Sequence, residues 1–147
     1  MKEKVVGRTI VQATPAQLLA ILTDFEDYPA WSDDVKSVQV LERDELGRGT
    51  KVAYRVAAFG RSTSLTLVYD YAEAPRRFSW VQESGDLTCA YDGSYSFETD
   101  GADEEETEVF YQLTVELNVP LPGFVKRRAE SRLGAKILRE LKARAER

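Results

Sequence analysis

Five tyrosines, Tyr54, Tyr69, Tyr91, Tyr95 and Tyr111, stand in step with the apolar residues of their own segments, so each brings a hydroxyl to the apolar side of the chain. A tyrosine in that position offers a ring for packing and a polar tip that needs a partner once buried. Chemistry in this chain has few other sources, because there is no histidine and only one cysteine. Ser-His-Asp and Cys-His catalysis are excluded, as are histidine-based zinc sites and the side chain that ordinarily titrates near neutrality. What remains is the orientation of a ligand's carbonyl or hydroxyl groups by tyrosine hydroxyls, assisted by carboxylates. Taken singly, each tyrosine is equally explained as a core residue bonded to backbone or water; as a set they point to a cavity with polar decoration.

Other candidates join them. Phe78 and Trp80 lie in one strand-like segment and suit a cavity wall, although packing alone accounts for Trp80 equally well. Trp31 follows Pro29 in an acidic, proline-broken loop, which suits a gate. Glu130 falls one helical turn before Leu133 and Gly134, beside an apolar arc that continues to Ile137. Turned inward, its carboxyl would be desolvated and raised in pKa, a candidate acid or polar anchor; turned outward, it pairs with Lys126. Gly134, lacking a side chain at mid-helix, would widen a cavity there at a cost of about 1 kcal/mol in helix propensity. Cys89 shares the phase of Tyr91 and reads as a small buried hydrophobe, with nothing nearby to activate it as a nucleophile.

These residues need elements to hold them. Val125, Ala129, Leu133, Ile137, Leu141 and Ala145 recur every four residues, so an amphipathic helix is expected over most of Gly123 to Ala145. Its apolar stripe requires a receiving surface. Val5 to Gln12 reads as a first strand. Thr14 supplies an N-cap and Pro15 an N1 proline for a helix ending near Thr23 or Asp24, where Asp24 stops it, and a second short helical turn is expected around Pro29. From Val35 onward the period is two: six strands are expected, carrying Val38 and Val40, then Val52 to Val56, Leu65 to Tyr71, Phe78 and Trp80, Leu87 to Phe97, and Val109 to Leu117. The acidic loop from Thr99 to Glu108 reads as a solvated hairpin tip without the spacing of a calcium loop. The expected class is α+β: a seven-stranded antiparallel sheet, two short helices between strands 1 and 2, and a long terminal helix on the apolar face.

A length of 147 residues suits one domain over 1–147, and 43% hydrophobic with 31% charged residues is the balance of a globular chain. No apolar run reaches the roughly 20 residues of a membrane span, and the N-terminus leads into a strand without a signal-peptide core, so a cytoplasmic location is expected. The net charge of −5 disfavours nucleic acid as a partner, although the terminal helix is locally basic.

The order strand, Thr14-Pro15 helix, Asp24 with Tyr28-Pro29-Ala30-Trp31, meander, and Val119-Pro120-Leu121-Pro122-Gly123-Phe124 leading into a long helix resembles the START-like helix-grip superfamily (the SRPBCC group). Within it the chain is most similar to small polyketide cyclase/dehydrase and coenzyme-Q-binding members. The resemblance covers essentially the whole sequence and implies a curved sheet wrapped around the terminal helix, with an apolar ligand cavity between them. It implies binding or transport of a lipid, isoprenoid quinone or polyketide, with no cofactor and no metal. The ligand-binding residues expected are Trp31, Tyr54, Tyr69, Trp80, Tyr91, Tyr111, Glu130, Leu133, Gly134 and Ile137. A polyketide cyclase or aromatase, using cavity tyrosines and a carboxylate, is the enzymatic alternative. A ribosome-associated, toxin-like interaction module is the third.

Overall fold

A computed structural model describes residues 3–58, 61–99, 105–118 and 135–146. Strand β1 (Glu3–Val11) is followed by helix α1 (Pro15–Thr23), a 3₁₀ turn (Phe25–Asp27) and helix α2 (Tyr28–Trp31). Strands β2 (Val35–Arg43), β3 (Gly49–Ala58), β4 (Arg61–Asp70), β5 (Arg77–Gly85), β6 (Thr88–Glu98) and β7 (Thr107–Leu117) then run in sequence. A terminal helix, α3, is described over residues 135–145. The expected order of elements is therefore the one found. Leu133, Gly134 and Glu130, with the rest of the helix expected upstream of residue 135, lie outside the described residues.

The strands form one curved antiparallel sheet in the order β1-β7-β6-β5-β4-β3-β2. Every neighbour is a sequence neighbour except β1, which pairs with β7 along nine consecutive positions. The α1–α2 segment thus carries the chain from one edge of the sheet to the other. Register shifts in β2–β3, β4–β5 and β6–β7 insert bulges, which bend a sheet and strengthen its twist.

Local chemistry explains the turning points. Thr14 Oγ1 accepts the Gln17 N–H and the Gln17 side chain accepts the Thr14 N–H, a reciprocal capping box in front of Pro15. Asp24 is the C-cap of α1. In the β2–β3 turn, Asp44 Oδ1 accepts the N–H groups of Leu46 and Arg48 while Gly47 takes a φ of 81°, a conformation that favours glycine. The alternation of β1, ambiguous in sequence, resolves with Val5 and Val11 inward and Val6 and Ile10 outward.

One expectation fails. Cys89 is exposed, with its thiol on the Asn118 side-chain oxygen, while Thr88 and Ala90 on either side are buried. Thr88 pairs with Leu117 and Ala90 with Glu116, so Cys89 is the extra residue of a bulge, and a bulge shifts the alternation by one.

Polar contacts seat α3 on both sides. Toward β1, Lys142 Nζ donates to the Ile10 carbonyl at 2.6 Å and to Glu146 at 3.0 Å, and Glu146 accepts the Gln12 N–H at 2.9 Å. Toward α2 and β2, Lys136, Glu140 and Arg144 reach Asp34, the Asp33 N–H and Asp27. Leu138 and Leu141 point into the core between these rows.

Candidate functional site

The concave face of the sheet divides by residue type. Near β1, β7 and α1 it is aliphatic: Val11, Leu18, Leu22, Val109, Leu113, Val115 and Leu141 have no accessible surface. Across β3 to β6, joined by Tyr111 of β7, it is largely aromatic, and there the face and α3 border a cavity of about 110 Å³. Tyr54, Tyr69, Trp80, Tyr91, Tyr95 and Tyr111 line it from the sheet, Trp31 from α2, and Ile137 from α3. Each expected site residue that falls among the described ones thus borders a single space.

Pairing register sets this arrangement. Tyr69 lies opposite Trp80, and Tyr95 opposite Tyr111, with ring centroids 5.9 Å and 5.0 Å apart. Phe78 packs nearly parallel to Tyr95 at 5.5 Å. Trp80 also lies opposite Gly93, and a Cβ on Gly93 would stand 2.7 Å from the indole Cζ2 and 2.4 Å from the Gln112 carbonyl oxygen. The indole lies flat because position 93 has no side chain.

Two of the hydroxyls are paired inside the apolar wall. Tyr54 and Tyr69 share a hydrogen bond at 2.5 Å. Burial raises the pKa of Tyr54, Tyr69 and Tyr111 well above the ordinary tyrosine value, with neighbouring tyrosines adding to it. Burial likewise pushes Tyr91 up to about 12. At neutral pH these groups are uncharged hydroxyls, suited to holding an acceptor and unsuited to acting as phenolate bases.

Tyr28 and Glu140 line the cavity without being among the expected site residues. Tyr28 stacks edge-on against Trp31 at 5.1 Å, and its hydroxyl donates to the Leu22 carbonyl, tying α2 to α1. It sits in the segment read as a short helical turn and loop, where the Tyr28-Pro29-x-Trp31 pattern names it. Glu140 supplies the carboxylate that borders the cavity among the described residues. Its signal is the helical reasoning applied to Glu130: it stands three residues after Ile137 and one before Leu141. The Nε1 groups of Trp31 and Trp80 are covered and have no acceptor among the described residues.

The comparisons with known proteins agree with this architecture. A START superfamily protein from Mycobacterium smegmatis superposes with a TM-score of 0.87 at 23% identity, over 97% of this chain and 96% of its own. The Zhui aromatase/cyclase from a Streptomyces species gives 0.82 at 16% identity, over 99% and 94%. A Thermus thermophilus protein gives 0.78 at 21% identity, over 97% of each chain. At these identities the likeness concerns the fold. No curated protein is significantly similar to the sequence. The family profile described as polyketide cyclase / dehydrase and lipid transport matches residues 2–146, and the chain therefore belongs to that family, with the START-like fold its sheet and terminal helix display.

Proposed function

We propose that this chain binds an uncharged, ring-bearing hydrophobic molecule, such as a polyketide or a quinone head group, between sheet and α3. The observation that carries the reading is the aromatic cavity, whose walls are apolar and whose polar groups are protonated tyrosine hydroxyls. Burial of apolar ligand surface supplies the driving force, at about 25 cal/mol per Å² before association costs. The hydroxyls set orientation. At about 110 Å³ the space suits a ring system better than a long acyl chain. Trp31, Tyr54, Tyr69, Trp80, Tyr91, Tyr111 and Ile137 are the contact residues proposed, with Tyr28 and Glu140 added to them.

Native mass spectrometry of freshly purified protein, followed by organic extraction, tests this directly. The expected result is an apolar adduct that disappears in Ile137→Glu, which places a charge on the cavity wall. Unchanged uptake in a folded Ile137→Glu variant rules the reading out.

One observation favours an enzymatic second reading. Glu140 brings a carboxylate to a cavity whose tyrosines can polarise carbonyls, an arrangement suited to folding and proton transfer on a poly-β-ketone. Turnover of a model polyketide, lost in Glu140→Gln with binding retained, distinguishes a cyclase from a carrier.

A further inference from the structure

Lys136, Glu140 and Arg144 are four residues apart and so form one row along α3, about 6 Å from one to the next. All three meet the segment that runs from the 3₁₀ turn through α2 to β2. Lys136 Nζ donates to Asp34 Oδ1 at 3.1 Å, Glu140 Oε2 accepts the Asp33 N–H at 2.9 Å, and Arg144 donates to Asp27 Oδ2 at 2.6 Å. The rungs descend the segment as they ascend the helix, closing a seam. Behind it, Tyr28, Trp31, Ser32 and Val35 form one wall of the cavity, and Ile137 and Glu140 the facing wall.

We propose that this row is a latch over the ligand's passage: separating the rungs admits and releases the molecule. The proposal rests on the ligand-binding reading above and adds its regulation. Two features suit a latch better than fixed packing. The charged side chains of the outer rungs keep 33% and 39% of their surface at Lys136 and Asp34, and 29% and 37% at Arg144 and Asp27. Ion pairs this accessible are individually weak and are screened by salt. In addition, the closed segment covers the Trp31 indole N–H, which meets no acceptor among the described residues, an unfavourable term of the same order that opposes the rungs. The balance between them leaves the seam poised.

Stopped-flow fluorescence with N-phenyl-1-naphthylamine, a neutral aromatic that brightens in apolar surroundings, tests the latch. Removing an outer rung, in Lys136→Ala or Arg144→Ala, is expected to raise both association and dissociation rates about five-fold, equivalent to about 1 kcal/mol. Raising salt from about 50 to about 500 mM should accelerate exchange in the unaltered protein and leave a variant carrying both Lys136→Ala and Arg144→Ala unmoved. Combining Asp27→Arg with Arg144→Asp should restore slow exchange. Binding with rates indifferent to salt and to these variants overturns the latch and leaves the cavity reading standing. Absence of any fluorescence change with the unaltered, folded protein overturns the cavity reading and the latch with it.

Discussion

The two halves of the concave face are built on one sheet, yet one is solid and the other hollow. Around β1, β7 and α1, branched aliphatic side chains interdigitate until Val109, Leu113, Val115 and Leu141 retain no accessible surface. Across β3 to β6, rigid rings pack at centroid separations from 5.5 to 6.4 Å and stop short of α3, leaving the cavity. Flexible chains fill irregular gaps, whereas planar rings satisfied by one another do not follow a curved surface. The contrast separates a stabilising half from a receiving half.

Alkaline pH should act on the receiving half most strongly. Its buried tyrosines have folded pKa values raised above the unfolded value of about 10. The native state therefore holds protons that the unfolded chain releases; stability is fully present below about pH 10 and is lost as pH rises toward the raised values, Tyr91's being about 12. Each buried tyrosine contributes about 1.4 kcal/mol of loss per pH unit in that window. Denaturant titrations at stepped pH should show a plateau near neutrality and a steep fall above about pH 10; a gradual decline beginning near neutrality would contradict the burial.

Truncation compares the halves side by side. Leu113→Ala, in the solid half, should cost about 3–5 kcal/mol in chemical denaturation. Leu67→Ala, at the cavity wall, should cost about 2 kcal/mol, since the removed atoms already lack partners on one side. Equal costs would mean that the cavity collapses in solution. Gly93→Ala is the next smaller effect, about 1–3 kcal/mol, with a change in tryptophan fluorescence as the indole is displaced. Thr14→Ala, which removes the α1 capping box, should lower stability by about 1 kcal/mol and leave ligand uptake unchanged.

How much of this is legible in the sequence follows the same division. Period-two alternation, the Thr14-Pro15 start and the four-residue repeat of the terminal helix are local signals, and the seven strands, two short helices and α3 follow from them. The phase of Tyr54, Tyr69, Tyr91, Tyr95 and Tyr111 puts them on the cavity face for the same reason. Cys89 departs from its expected place because a bulge is a property of two strands together and leaves no mark in one strand's alternation. Glu140 escapes notice because its hydrogen bond partner, the Asp33 N–H, is distant in sequence. Gly93 gives no signal of its own; its meaning appears only when Trp80 is known to lie opposite.

The Lys142–Glu146 pair on α3 has a consequence beyond seating the helix. A terminal strand offers unpaired amide and carbonyl groups that any extended segment can copy, the usual seed of fibril growth. At β1 the Ile10 carbonyl and the Gln12 N–H are already occupied, one by an ammonium and the other by a carboxylate from the same helix turn. At the opposite margin the repeated register shifts of β2 spoil a regular template. The sheet stays open enough to cup a guest, yet the end of one border and the irregular run of the other are poor moulds for a stranger's backbone.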